Sequence, residues 1–303
     1  MERVTGSAEL RSKVAALRSG GATIGFVPTM GALHDGHLAL VRLAAARADA
    51  VVVSIFVNPT QFDRTEDLTA YPRDLAGDER ALADLGEQAP TLVFAPETDE
   101  MYPRPPATRV TVAGLGEHLC GAARPGHFDG VGLVVVKLLN IVTPDLVVFG
   151  RKDRQQLQIV RRIVADLDLP VEVVAGPTVR EPDGVALSSR NRRLDADHRV
   201  AARALSRALR TAVLLVREAR ATGQAPEVAG LVGAARTSLA VPGVEAEYLE
   251  IVDADTLQPI EGTVPVPGTA VVAVAAHVGG VRLIDNVEVG DLEDEQQLLD
   301  ATA

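Results

Sequence analysis

A doubly wound, parallel α/β sheet followed by a smaller C-terminal α+β domain is the fold class that three observations predict. Short apolar runs alternate with helix-like stretches as far as Thr178. Beyond it the order changes to two helices and then three consecutive strand-like segments. The chain has 303 residues, 47% hydrophobic and 23% charged, which suits two domains at roughly 100–200 residues each.

Residues 22–27 (ATIGFV) lie between Gly-Gly and Pro and read as a buried strand. The loop PTMGALHDG follows, then a helix from His37 and a β-branched strand over 51–58 (VVVSIFVN), so the chain opens as a βαβ unit. A helix over 74–86 leads to a strand at 91–96. Residues 131–142 (VGLVVVKLLNIV) read as a buried helix despite their valines, because Lys137 and Asn140 break any strand alternation. Strands at 145–150 and 171–178 flank an amphipathic helix over 153–168. Such alternation packs helices on both faces of a parallel sheet. After a polar loop, helices are expected at about 195–221 and 226–240, then strands at 245–254, 269–278 and 281–289. The expected organisation is a domain over 1–180, a small lid domain over 181–290 and an acidic tail over 291–303. The tail is expected to be disordered, since it has little apolar surface to offset its ordering entropy.

Composition excludes several function classes. The net charge is −11, with seven acidic residues and no Lys or Arg from Leu283 onward. No basic stripe suggests nucleic acid, and with no Trp and 3% aromatic residues base-stacking surfaces are not expected. The single cysteine, Cys120, allows neither an intrachain disulfide nor a cysteine-based zinc site; we read it as an incidental buried thiol in a reducing, cytoplasmic setting. No run approaches the roughly 20 apolar residues of a membrane span, and the N-terminus lacks a signal-peptide core. Arg outnumbers Lys 27 to three, so the position of each lysine matters.

The most informative segment is Pro28–His37, at the carboxyl end of the first strand and the start of the first helix. There a helix N-terminus offers N–H groups and partial positive charge to an anion. His34 and His37 stand one helical turn apart and suit hydrogen bonding to phosphate oxygens, while Gly36 allows close backbone approach. The alternative is two ordinary histidines in a surface turn; the spacing does not match an HExxH zinc helix. A second strand end, Phe149–Gln156 (FGRKDRQQ), carries Lys152 as a point charge for phosphate, Asp153 as an acceptor for ribose hydroxyls and Gln156 one turn further on. A solvated helix start is its plainer reading. In the third segment, VREPDGVALSSRN, Ser188 and Arg190 place a hydroxyl and a guanidinium two residues apart; a polar linker is the alternative. Gln61, after the second strand, offers a neutral amide for a carboxylate or hydroxyl.

In order, PTMGALHDGH, VNPTQF, YPRDL, RPGHFDGV, FGRKDRQQL and VREPDGVALSSRN resemble the pantoate–β-alanine ligases (pantothenate synthetases) over about residues 22–195, with a looser match beyond. That family is similar to the HxGH nucleotidyltransferases of Rossmann-like fold. The resemblance implies condensation of D-pantoate with β-alanine through a pantoyl adenylate, releasing pyrophosphate and AMP. It also implies Mg2+ accompanying ATP, no tightly bound organic cofactor, and a homodimer. By the match, catalysis falls to His34, His37, Lys152, Ser188 and Arg190. ATP would be lined by Met30, Gly31, Ala32, Leu33, His34, Asp35, Gly36, His37, Gly150, Arg151, Lys152, Asp153, Val179, Leu187, Ser188, Ser189 and Arg190. Gln61 and Gln156 would hold pantoate and then β-alanine, and no metal ligand is assigned. Leu187 replaces the family's usual methionine, and Arg151 and Arg154 are expected to face solvent. Asp78, Arg124 and His127 are weaker candidates, Asp78 for the magnesium or pyrophosphate path. The alternatives are an HxGH nucleotidyltransferase acting on another small substrate and a non-catalytic nucleotide-binding protein. The amide pair Gln61 and Gln156 opposes the first, and the full set of five polar residues opposes the second.

Overall fold

The computed structural model describes residues 1–63, 65–265 and 270–301, which form two compact units. The first comprises Met1–Glu117, Gly121–Arg151 and Gln156–Gly176; the second comprises His118–Cys120, Lys152–Gln155 and the chain from Pro177 onward.

The first unit contains β1 (Glu2–Val4), α1 (Ser7–Ser19), β2 (Ile24–Thr29), α2 (Asp35–Ala45), β3 (Ala50–Ile55), α3 (Thr65–Thr69), α4 (Leu75–Ala83), β4 (Leu92–Phe94) and α5 (Thr98–Met101). It continues with α6 (Cys120–Ala123), α7 (His127–Val142), β5 (Leu146–Gly150), α8 (Arg154–Asp166) and β6 (Glu172–Gly176), the first residues of α6 and α8 counting with the second unit. Among the described residues the strands form one sheet in the order β1-β4-β3-β2-β5-β6, and every pairing is parallel. The four inner strands, β2 to β5, are buried on both faces, as a parallel sheet covered by helices requires. One parity supplies Val27, Val51, Val53, Val93, Leu146, Val148 and Val174 to a core with Val41 and Ala44 of α2 and Leu82 of α4. The opposite parity, including Phe26, Val52, Phe94 and Val147, is equally buried. Strand order reverses at the β2–β5 boundary, the position where open α/β sheets place their ligands.

The valine-rich stretch at 131–142 is helical, within α7. Five elements escape the sequence reading: β1, α1 and the short helices α3, α5 and α6. β1 has only three residues, and α1 buries only Leu10 and Val14, too few apolar residues to announce a helix.

In the second unit, α10 (Arg203–Ala221) and α11 (Val228–Leu239) pack with a sheet of β7 (Val244–Asp253), β8 (Ala270–Val278) and β9 (Val281–Val289). The sheet order is β7-β8-β9, antiparallel. Thr269, expected to begin the middle strand, lies outside the described residues. The single helix expected at 195–221 is two, α9 (Ala196–Ala201) and α10. The turn tightens between them, where Leu205 N–H donates to Ala202 O three residues back.

The expected disordered tail is a helix over its described residues, α12 (Leu292–Ala301). Its acid finds cations elsewhere in the chain: fully buried Glu295 accepts from Arg217 at 2.7 Å and Arg220 at 3.3 Å, both on α10. Leu298 enters the apolar core. A run without basic residues carried no sign of partners some 75 residues away.

Candidate active site

The segment after β2 is held by Asp78. Its carboxylate, 5% exposed, accepts from Ala32 N–H at 2.9 Å and Leu33 N–H at 2.7 Å. Gly31 and Ala32 both have positive φ, +78° and +50°, and a Cβ on Gly31 would stand 2.8 Å from Asp78 Oδ2. Asp78 therefore braces a strained loop, and the amides of Ala32 and Leu33 are engaged by it. Both residues are buried, as is Gly31, while Met30, His34, Gly36 and His37 are partly exposed and Asp35 is exposed.

His34 caps α2. Its Nδ1 accepts from Gly36 N–H at 3.2 Å, and His37 Nδ1 accepts from His34 N–H at 3.4 Å. The two backbone donors fix the neutral tautomer, with the ring proton on Nε2 of each imidazole. The ring centroids lie 4.1 Å apart. The HxGH spacing thus produces a reciprocal cap with two Nε2–H donors beside a helix N-terminus.

A second cluster surrounds Gln61. Its Nε2 approaches Met30 Sδ at 3.1 Å, and its Oε1 accepts from Asn58 Nδ2 at 3.0 Å. Asn58 is the hub: it also donates to Gly130 O at 3.1 Å and accepts from Tyr102 Oη at 2.9 Å. Burial pushes the Tyr102 phenol above its usual range. Gln61 O receives His127 Nδ1 at 2.8 Å and Arg124 Nη2 at 3.3 Å, so both weaker candidates brace this turn. α7 comes so close here that a Cβ on Gly130 would lie 2.2 Å from Thr60 O. Asn58 and Tyr102 were not singled out from the sequence. The Asn-Pro pair after β3 was the available signal for Asn58, whereas Tyr102 carried none. Gln156 lies half-buried in the first turn of α8, and Gly150 ends β5 opposite Gly176.

The second unit brings Lys152, Ser188 and Arg190 together around a shallow, open depression, with Asn191, Ser206 and Arg282 also lining it. The ammonium of Lys152 stands 3.7 Å from Asp153. The loop before Ser188 is more ordered than a polar linker: Leu187 N–H donates to Val179 O at 3.0 Å, and Arg180 bridges Ala186. Asn191 Nδ2 reaches Glu181 and Ala186 O, while Arg199 pairs with Glu181 and Asp183. Burial would raise the Asp183 carboxyl, but its hydrogen bonds from Arg199 and from Val185 N–H hold it below its usual range. Ser188 Oγ accepts from Arg190 N–H at 3.3 Å, and Ser189 opens the 3₁₀ turn that follows. Arg154 does not face solvent as expected: it is 7% exposed, pairs with Glu288 at 2.5 Å and donates to Ala254 O at 2.9 Å. A partly buried acid on β9, Glu288, makes burial of that charge tolerable. Arg151 is half-buried. Cys120 lies 3.2 Å from Tyr248 Oη and 3.4 Å from Arg282.

Among the described residues no three His, Cys, Asp or Glu side chains gather as a metal cage, and no helix is long and apolar enough to cross a membrane. The family model for pantoate-beta-alanine ligase matches residues 2–288. The pantothenate synthetase of Pseudomonas paraeruginosa is 50% identical over 283 residues, covering 93% of this chain and 96% of that one. The Moorella thermoacetica pantothenate synthetase is 48% identical, with 96% and 100% covered. The crystal structure of pantothenate synthetase from Thermus thermophilus superimposes with TM-score 0.84 at 47% identity, over 95% of this chain and 99% of that one. A pantoate-beta-alanine ligase from Francisella tularensis, solved with beta-gamma ATP and beta-alanine, gives 0.73 at 31% identity, with 94% and 97% covered. This chain belongs to the pantoate–β-alanine ligase family.

Proposed function

We propose the following division of labour for the ATP-dependent ligation of pantoate to β-alanine that this ligase carries out. In the first half-reaction a pantoate carboxylate oxygen attacks the α-phosphorus of ATP, the bond to pyrophosphate breaks, and pantoyl adenylate forms. In the second, the neutral amine of β-alanine attacks the activated carbonyl, AMP leaves, and the amine gives up a proton. Neither step requires a covalent protein nucleophile. The catalytic need is alignment and stabilisation of charge growing toward pyrophosphate.

His34 and His37 donate through Nε2–H to phosphate oxygens. Lys152, Ser188 and Arg190 receive the triphosphate, the lysine as a point charge and the arginine as a fork. Asp153 accepts from ribose hydroxyls, and Gly150, Val179 and Leu187 border the nucleoside. Gln61 and Gln156 clamp the hydroxy acid and then the amine substrate; as neutral amides they bind a carboxylate without drawing charge from the reacting centre. The chemistry of the donor set fits magnesium arriving with ATP, held by phosphate oxygens and water, and no step is routed through a protein-bound ion. A homodimer working in the cytoplasm, without an organic cofactor, completes the reading.

The observation that supports it best is the reciprocal cap at the α2 N-terminus, where Nδ1 of His34 and Nδ1 of His37 each accept a backbone N–H. With MgATP and labelled pyrophosphate, the protein should exchange label into ATP when pantoate is added and β-alanine is withheld. Exchange that ignores pantoate and follows another acid would overturn the substrate assignment.

A further inference from the structure

Strand β9 divides its side chains between two faces. Val281, Leu283, Val287 and Val289 enter the apolar core of the second unit. Asp285 shares their parity, and its charge is offset by a buried bidentate pair with Arg180, at 2.6 and 3.0 Å, both side chains under 5% exposed. Asp285 raises the Arg180 guanidinium above its usual value although burial opposes the charge. Arg180 also donates to Gly184 O, so one guanidinium ties the loop before Ser188 to the strand.

The opposite face carries Arg282, Asn286 and Glu288. Arg282 reaches Cys120 Sγ at 3.4 Å, Asn286 Nδ2 donates to Lys152 O at 2.8 Å, and Glu288 holds Arg154 at 2.5 Å. These partners lie in two short segments that count with this unit although they are remote in sequence, His118–Cys120 and Lys152–Gln155. Gln155 fastens the segments to each other, accepting from Cys120 N–H at 3.0 Å and donating to His118 O at 2.8 Å. Arg282, Asp285, Asn286 and Glu288 thus each engage a residue on a remote segment, and two of those segments carry Lys152, Ser188 and Arg190.

We infer that β9 is a positioning strand for the phosphate-handling residues: Asn286 fixes the main chain of Lys152, and Asp285, through Arg180, fixes the loop that presents Ser188 and Arg190. The lysine stem is flexible, so the reach of its ammonium is set by where its Cα is held. A misplacement of about 1 Å at a charge-stabilising group costs up to about a hundredfold in rate. The inference rests on the reading of Lys152, Ser188 and Arg190 as phosphate ligands.

Asn286 is the residue to test, because it is neutral and donates directly to the Lys152 main chain. Asn286→Ala and Asn286→Leu, which keeps the branch at Cγ without the amide, are compared with the parent in two half-reactions. One is pantoate-dependent pyrophosphate–ATP exchange. The other is AMP release when β-alanine is added to separately prepared pantoyl adenylate, a step with no pyrophosphate for Lys152 to hold. The expected result is a loss of about tenfold or more in exchange, with AMP release within about twofold of the parent. Thermal melts establish which variants are folded, and Asn286→Leu serves where alanine leaves too large a cavity. Parallel loss in both half-reactions, or none in either, would overturn the inference. Lys152→Ala run alongside separates the two readings. If it leaves exchange intact, the assignment of Lys152 fails; if it abolishes exchange while the Asn286 variants do not slow it, the positioning role fails.

Discussion

Removing the carboxylate of Asp78 should collapse the loop that carries the histidine pair. Two backbone N–H groups donate to it at 2.7 and 2.9 Å, and it is 5% exposed, so water replaces little of what is lost. Hydrogen bonds to a charged group contribute about 1.5–3 kcal/mol each. Asp78→Ala should therefore destabilise the first unit by about 3–5 kcal/mol. Asp78→Asn retains one acceptor oxygen and turns an amino group toward the second N–H, for a cost of about 2–3 kcal/mol. The left-handed backbone at Ala32, φ +50°, disfavours the loop by a further 1–2 kcal/mol or so once unbraced. Urea unfolding gives the free energies, and amide hydrogen exchange at Ala32 and Leu33 reports the loop directly. Pyrophosphate exchange should fall with loop order, Ala below Asn below parent. A loss under about 1 kcal/mol for Asp78→Ala, with unchanged protection at Ala32 and Leu33, would refute the bracing role.

Other expectations concern the substrate groups and the electrostatics. His37→Ala and Lys152→Ala should each lower turnover by about 10²–10³, the size of losing one transition-state donor; steady-state losses below tenfold in both would remove them from the catalytic set. Arg190→Lys should lower the rate of exchange too, since an ammonium cannot reproduce a two-pronged guanidinium contact. Gly130→Ala must push α7 away from the Thr60 carbonyl, which its Cβ would meet at 2.2 Å; about 1–3 kcal/mol of lost stability and a raised KM for pantoate are expected from calorimetry and kinetics. Glu247 is held below its ordinary value of 4.5 by hydrogen bonds from Arg282, against burial. A carboxylate so depressed contributes stability above its unfolded value, and that contribution disappears as pH falls through the lower folded one. Glu247→Gln should therefore flatten the decline in unfolding free energy below about pH 4.5, and an unchanged slope would count against the pair.

The parallel sheet was legible because its strands are continuous apolar runs ending in loops of distinctive residues. His34 and His37 could be placed at a helix start because an apolar strand precedes them and a helix-like stretch follows; their reciprocal cap is a finding of the structure. Lys152, Ser188 and Arg190 could be named but not brought together, because the strand residues that hold their segments lie 105 and 134 residues further on. Asp78 was legible only as an acid near the site; its partners are 45 and 46 residues away. Arg154 read as a solvated charge for the same reason, with Glu288 134 residues distant. The acidic tail failed on its counter-ions, which sit on α10. Local patterns reveal what a segment offers; its recipients depend on the assembled fold.

The close approach of α7 to the turn at Thr60 and Gln61 has a consequence for substrate range. The wall beside the Gln61 amide is peptide backbone against peptide backbone, and peptide groups cannot be trimmed by point mutation. If Gln61 holds the hydroxy acid as proposed, admitting a longer or bulkier carboxylate there would demand a change in segment length or helix placement. Exchanging side chains around it would retune grip while leaving the dimensions as they are.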